Sequence, residues 1–102
     1  MIYGLNNDTV EQIKSVFRKH FELEQVFLYG SRAKGNYRPN SDIDFTVFGD
    51  KIDLALLNKI SWELDDLLLP YTFDICIYKN ITQKDLLDHI QRIGIEFYKK
   101  GD

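Results

Sequence analysis

Apolar side chains recur at helical spacing in three separate stretches of this chain, over residues 9–20, 52–69 and 82–94. An apolar residue at every third or fourth position forms one buried stripe, so each stretch is predicted to be an amphipathic helix. Thr9 and Thr82 open the first and last stretches with the pattern of an N-terminal capping box. The middle stretch is the longest, and we expect the proline that follows it to stop the helix.

Four shorter apolar stretches have the length of β-strands. They cover residues 26–29, 43–48, 71–78 and 95–98. In the third, apolar residues at 73, 75 and 77 alternate with other types, so Asp74 is predicted to face away from them. Helices and strands alternate without repeats or a linker, which predicts an α/β or α+β order and one domain over residues 1–102.

The composition fits a small enzyme domain in a reducing compartment. With 102 residues, 44% of them hydrophobic, the chain has room for one core and no second domain. Its formal net charge of −3 makes a nucleic-acid binder an unfavoured class. The single cysteine, Cys76, excludes an internal disulfide. No apolar run reaches the roughly 18 residues of a membrane span and no signal peptide is recognisable, so we expect a cytoplasmic location.

The strongest chemical signal lies between the first two predicted strands. Gly30-Ser31 follows a strand directly, and Asp42-Ile43-Asp44 comes after ten intervening residues. A glycine lets the backbone approach a phosphate closely, and N–H groups at a helix start can donate to it. Residues i and i+2 of a strand share a face, so Asp42 and Asp44 can present two carboxylates to one Mg²⁺. This combination predicts metal-dependent nucleotidyl transfer.

A third carboxylate is expected on a neighbouring strand, because phosphoryl transfer often uses two metal ions held about 3.5–4 Å apart. Asp74 meets this expectation, since it is the one charge in an otherwise apolar stretch. A charge in such a strand is unfavourable unless something pairs with it, and metal ligation would do so. Each residue taken singly has a structural alternative: Gly30-Ser31 can be a plain strand-to-helix turn, and Asp42 a turn cap.

Gly-Ser, ten residues and Asp-x-Asp resemble the signature of the minimal nucleotidyltransferase family, within the DNA polymerase β-type superfamily. The order of the later elements and the ending Arg92-Ile-Gly-Ile-Glu-Phe-Tyr98 extend this resemblance over most of the chain. It implies a small mixed β-sheet flanked by helices, the minimal polymerase β-like fold. Within the superfamily, the chain is most similar to adenylyltransferase antitoxins paired with a helical HEPN-type toxin.

The resemblance also implies roles for individual residues. It makes Asp42, Asp44 and Asp74 the catalytic residues and the ligands of Mg²⁺, with two ions expected. It makes Gly30 and Ser31 phosphate contacts. The substrate is expected to be ATP, and the acceptor of AMP a tyrosine of the HEPN-type toxin. Assembly of identical copies is compatible with the sequence.

Basic residues between the two halves of the signature are candidates for neutralising a triphosphate. Arg32 is the first of them, because the resemblance includes it, and Lys34 and Arg38 follow. The alternative for each is a solvated loop position. Outside the signature, His89 is expected on a surface or flank of the last helix, and Trp62 at the edge of the core or against a partner.

Two other functional classes remain open at this point. The chain could be a binding module that neutralises a helical partner by occlusion alone, although such a module needs no three carboxylates held together. It could also be a nucleotidyltransferase acting on a small molecule, although enzymes of that class usually add a second domain for the acceptor. The sequence leaves the preferred base undetermined.

Overall fold

A computed structural model describes residues 2–101 as alternating helices and strands. The elements in chain order are α1 (Asn7–Arg18), β1 (Gln25–Tyr29), α2 (Gly30–Lys34), β2 (Ile43–Phe48), α3 (Leu54–Asp65), β3 (Phe73–Ile77), a 3-10 turn (Tyr78–Asn80), α4 (Lys84–Ile93) and β4 (Ile95–Lys99). The four strands coincide with the four predicted ones to within two residues at each end. No helix within residues 2–101 has both the length and the apolar character needed to cross a membrane.

The strands form one mixed sheet in the order β3-β2-β1-β4. β1 is antiparallel to both of its neighbours, β2 and β4, and β2 is parallel to β3. A parallel pair needs a long crossover connection, and α3 supplies it between β2 and β3. The predicted α/β fold with a small mixed sheet and flanking helices is therefore confirmed, and β4 is an edge strand as expected.

One face of the sheet carries the hydrophobic core. Alternate side chains of β1 and β2 on this face are fully buried: Val26, Leu28, Ile43, Phe45 and Val47. α1 and α3 cover them with the apolar stripes that the sequence predicts. The ring of Phe17 on α1 meets the ring of Phe45 edge to face, with centroids 5.4 Å apart. The opposite face carries the residues of β2 that alternate with the core residues, among them Asp44 and Thr46. α4 packs against β1 and α2.

The start of α1 differs from its prediction. The helix begins at Asn7, and the side chain of Asn6 caps it by accepting a 2.8 Å hydrogen bond from the backbone N–H of Thr9. Thr9 is thus the capped residue and not the cap. Asparagine is at least as good a cap as threonine, so the earlier residue starts the helix. The last helix begins at Lys84, and no side-chain cap is present at Gln83 before it.

α3 is shorter than the predicted helix over residues 52–69. Asp53 caps its start, accepting from the backbone N–H of Leu56 at 2.8 Å, and it ends at Asp65. Leu68 then adopts the left-handed conformation with a φ of 56°, which turns the chain towards β3. Leu69 precedes Pro70, and a residue before proline disfavours the helical conformation. At 12 residues, α3 is no longer than α1.

Candidate active site

Two of the three predicted carboxylates lie side by side on adjacent strands. Asp44 of β2 is the direct register partner of Asp74 of β3 in the parallel pair. Both side chains leave the sheet on the face opposite the core, because their neighbours in sequence are core residues. Asp42 lies two residues before Asp44, just outside the start of β2. Asp44 is half-buried, whereas Asp42 and Asp74 are exposed.

The two other acids act electrostatically on Asp44. Burial, followed by the negative charges of Asp74 and Asp42, raises the pKa of Asp44 from its ordinary value of 3.8 to about 6. None of the ion pairs formed within residues 2–101 involves any of these acids. The fold therefore concentrates negative charge at this position without supplying a cation from the protein.

The donor set fits a hard divalent cation such as Mg²⁺. Carboxylate oxygens are its preferred protein ligands, and the repulsion that raises the pKa of Asp44 is what a bound cation would relieve. Among the described residues, 2–101, no three acidic, histidine or cysteine side chains converge closely enough to hold an ion by themselves. A bound Mg²⁺ would therefore need waters and substrate phosphates to complete its ligands.

Gly30 links β1 to α2 directly above Asp44. Its φ of 75° lies in the left-handed region, where a glycine has no steric penalty. A Cβ atom at this position would collide with the Asp44 carboxylate. Tyr29, the residue before Gly30, is itself the register partner of Asp44. The predicted phosphate-binding turn and the predicted metal-binding acid are thus in contact, which the sequence spacing alone did not require.

His89 is a member of this site that sequence reasoning missed. Its Nε2 accepts a 3.0 Å hydrogen bond from the backbone N–H of Gly30, and its ring stands edge-on to that of Tyr29. Nε2 is the acceptor of this bond, so the ring is held against the turn by the backbone of Gly30. The expectation of a flank position on α4 is correct, but the half-buried side chain faces the turn. The only sequence signal was its position beside the apolar stripe of α4.

Arg32 lies in a different environment from the one predicted. Its side chain is 1% exposed, and its guanidinium donates to backbone carbonyl oxygens of Ser41, Tyr3 and Pro39 over 2.9–3.2 Å. The rings of Tyr37 and Tyr71 also lie 5.3 and 4.9 Å from its central carbon. Four N–H groups are engaged in this way, which leaves little of the guanidinium for a phosphate. Arg32 instead fixes the loop that leads into Asp42, as Arg can because its donors form a rigid fork.

Beneath the acids, the same face of the sheet holds a half-buried polar layer. The Tyr29 hydroxyl lies 3.6 Å from the Cys76 sulfur, and burial together with the nearby thiol and acids raises the pKa of this phenol. The Thr46 hydroxyl is fully buried and has no protein hydrogen-bond partner within residues 2–101. Cys76 is a free, partly buried cysteine of β3 in contact with the Tyr29 hydroxyl.

Comparison with known proteins agrees with this geometry. A family model described as polymerase beta, nucleotidyltransferase matches residues 11–102. A Methanocaldococcus jannaschii protein named as a candidate protein adenylyltransferase is 25% identical over 83 residues, which cover 74% of this chain and 79% of that protein.

Solved structures share the fold. A crystal structure of a toxin–antitoxin pair with AMP-PNP contains a chain that matches with a TM-score of 0.72 and 20% identity, over 90% of this chain and 74% of that one. A structure of a tri-AMPylated Shewanella oneidensis HEPN toxin with its MNT antitoxin gives a TM-score of 0.69 and 16% identity, over 94% and 74%. Sheet, signature and family match agree: the chain belongs to the polymerase beta nucleotidyltransferase family, and it is a nucleotidyltransferase.

Proposed function

We propose that this chain is a Mg²⁺-dependent adenylyltransferase that transfers AMP from ATP to a hydroxyl group of a partner protein. The observation that carries this proposal is the register pairing of Asp44 with Asp74 beneath the Gly30 turn, where neither acid forms an ion pair with any residue of 2–101. A paired carboxylate site directly below a phosphate-binding turn supports a substrate that brings phosphate and metal together.

In this proposal, Asp42, Asp44 and Asp74 hold the metal, and one or two ions are compatible with three carboxylates. The ion supplies charge neutralisation to the triphosphate and to the departing pyrophosphate. Gly30 allows the close approach of a phosphate, and the hydroxyl of Ser31 donates to it, whereas the N–H of Gly30 is engaged by His89. Arg32 is not assigned a phosphate contact, because its donors are engaged by the loop backbone.

The transfer step forms one bond and breaks one. The acceptor oxygen bonds to the α-phosphorus of ATP, and the bond from that phosphorus to the bridging oxygen of the β-phosphate breaks, so pyrophosphate leaves. The hydroxyl proton passes to the carboxylate of Asp74 or to water beside it, because Asp74 is the exposed acid at the sheet edge. Alignment and charge neutralisation then supply the catalysis without a covalent intermediate on the protein.

A protein acceptor is supported by the openness of the site. Asp42 and Asp74 are exposed, and two surface cavities lined by Glu24 and Lys100 include none of the three acids. A small-molecule acceptor would be expected to need an enclosing pocket beside the acids. The name of the M. jannaschii relative and the AMPylated toxin in one matching structure point the same way, so a HEPN-type toxin tyrosine is the proposed acceptor.

Labelling with ATP that carries a radioactive α-phosphate tests the proposal. In the presence of Mg²⁺ and a HEPN-type toxin, we expect label on the toxin, and we expect Asp44→Asn to reduce it at least about 100-fold. Asp50→Asn, at an exposed acid away from the site, is the matched control and should label normally. Full labelling by Asp44→Asn would overturn the assignment. Toxin neutralisation without any labelling would instead favour a module that acts by occlusion.

A further inference from the structure

The sheet has two edges, and they differ in how well they are protected against pairing with another chain. β4 forms one edge and β3 the other. An edge strand offers unpaired backbone N–H and C=O groups, and proteins usually protect such edges with lysines, prolines, bulges or charges.

The β4 edge is protected. Its pairing with β1 contains a register shift between Val26 and Phe27, which is the irregularity of a bulge. Glu96 and Lys99 add two exposed charges within the five residues of the strand, and Lys100 follows directly. A second strand pairing with this edge would meet a distorted ladder and charged side chains.

The β3 edge has no lysine, proline or bulge, and its one charged residue is the site acid Asp74. The register of β3 with β2 continues without a shift from Phe73 to Ile77. The backbone N–H of Ile43 donates to the carbonyl of Thr72, so the alternation of a parallel ladder directs residues 72, 74 and 76 towards β2. The N–H and C=O groups of Phe73, Ile75 and Ile77 consequently face outward along the open edge.

This open edge contains Asp74 itself. A strand added there would lie about 4.8 Å from β3, and its alternate side chains would stand on the same face as Asp74. We propose that the acceptor segment of the partner protein binds as an added β-strand along β3, with its reactive hydroxyl beside Asp74. This inference rests on the proposed function and specifies how the acceptor segment would bind.

The two faces of β3 specify the chemistry of that segment. On the core face, the side chains of Phe73 and Ile75 remain partly exposed at the edge, so the residues flanking the acceptor would be apolar. On the site face, the acceptor must reach past the tip of the Asp74 carboxylate to a phosphate above it. Tyrosine carries its hydroxyl further from the backbone than serine does, so it is the acceptor that this reach favours. The expected segment is therefore extended, with a tyrosine between two apolar residues.

A second copy of this chain is a less suitable occupant of the same edge. Two β3 strands related by a two-fold axis would place the Asp74 carboxylates of both copies at neighbouring positions on one face. Like charges on adjacent strands are destabilising, and each copy already carries Asp42 and Asp44 in the same cluster. A neutral tyrosine avoids this repulsion.

Backbone methylation of a peptide tests the proposal directly. The probe is a peptide with alternating valine and threonine around one central tyrosine, offered with ATP labelled at the α-phosphate. Only every second N–H of an added strand points at β3. N-methylation of one alternate set of residues should therefore reduce labelling at least about tenfold, and methylation of the other set should leave it unchanged. Equal effects of the two sets, or labelling equal to that of a scrambled peptide, would contradict strand addition.

Changes in β3 provide the second measurement. Ile75→Pro removes one outward N–H and leaves the ladder to β2 intact, because the N–H of residue 75 faces the open edge. Ile75→Ala shortens the same side chain and keeps the N–H. Peptide labelling should fall about three- to tenfold in the proline variant relative to the alanine variant. Nucleotide binding, followed in parallel, should be the same in both and also reports that both are folded.

The outcomes separate this inference from the proposed function. Normal toxin labelling with no preference between the two Ile75 variants would remove the β3 edge from acceptor binding and leave the transferase assignment standing. A wild-type chain that binds no nucleotide with Mg²⁺ would remove the proposed function itself. A dimer in solution that Ile75→Pro converts to monomers, but Ile75→Ala does not, would assign the edge to a second copy and overturn the acceptor proposal.

Discussion

Residues that are adjacent in sequence on the central strands project to opposite faces of the sheet. One face is apolar and the other carries polar and acidic side chains. Phe45 of β2 is fully buried among aromatic rings, and Asp44 before it and Thr46 after it lie on the other face. The core face contains apolar side chains in mutual contact. The site face holds an acid with a raised pKa and a buried hydroxyl without a protein partner.

This difference shows how the stability of the protein and its chemistry are divided. The core face supplies free energy of folding, because burial of apolar area is the main favourable term. The site face lowers the net free energy of folding, because clustered charges and an unpaired hydroxyl are unfavourable in the folded state. A domain of 102 residues has only about 5–15 kcal/mol of net stability, so the two faces must be balanced closely.

Truncation on the core face should have the largest effect. Phe45→Ala removes a ring whose centroid lies 4.8 Å from that of Phe97 and 5.4 Å from that of Phe17. The lost burial and the resulting cavity should lower the free energy of unfolding by about 3–5 kcal/mol, measured by urea denaturation. Phe21→Ala, at a ring that is 63% exposed, is the control and should lose less than about 1 kcal/mol. Similar losses in both variants would contradict the division between faces.

Neutralising the acid on the site face should have the opposite sign. The folded state holds the Asp44 proton up to a pKa of about 6, against 3.8 for an unperturbed group. The stability contributed by this proton is fully present below pH 4 and is lost as the pH rises through 6. Asp44→Asn should therefore match the wild-type protein at pH 4 and exceed it above pH 7, in metal-free buffer.

The expected gain is on the order of 1–2 kcal/mol, reduced from the full linkage value because the carboxylate is partly exposed to solvent. Urea denaturation at a series of pH values measures it, with Asp50→Asn as an exposed control that should follow the wild-type curve. A constant difference between Asp44→Asn and wild type across this range would show that Asp44 does not titrate as described. Added Mg²⁺ should stabilise the wild-type protein but not the Asp44→Asn variant.

The smallest effect is expected at the buried hydroxyl. Thr46→Val replaces an unpartnered oxygen with a methyl group of similar size, so the free energy of unfolding should rise by about 1 kcal/mol. Thermal denaturation in metal-free buffer measures the change, and Thr72→Val at an exposed position provides the comparison. A loss of stability at Thr46 would mean that the hydroxyl has a partner, such as an ordered water, in solution.

The fold was largely predictable from the sequence, because strands with alternating or continuous apolar residues and helices with one stripe leave few arrangements. The ends of the helices were less predictable. Asn6 displaced Thr9 as the cap of α1, and a left-handed Leu68 ended α3 early. Such helix ends depend on the backbone conformation of single residues, which tertiary packing selects. The periodicity of apolar residues in the sequence does not predict them.

The site was predictable in part for a related reason. The spacing of Asp42 and Asp44 and the lone charge of Asp74 indicated carboxylates on one face, and the register brings Asp44 and Asp74 together. The environments of Arg32 and His89 could not be inferred, because both depend on contacts with distant segments. Arg32 meets the carbonyl of Tyr3, and His89 reaches the backbone of a turn 59 residues earlier.

The contact between Gly30 and Asp44 has a consequence for the genetics of this protein. Any side chain at position 30 would push against the carboxylate of Asp44, so one codon change would disturb the predicted phosphate turn and the proposed metal ligand at once. A Gly30→Ala variant should thus lose activity through two effects, a disturbed turn and a displaced Asp44 carboxylate. Relieving only one of these effects should not recover activity.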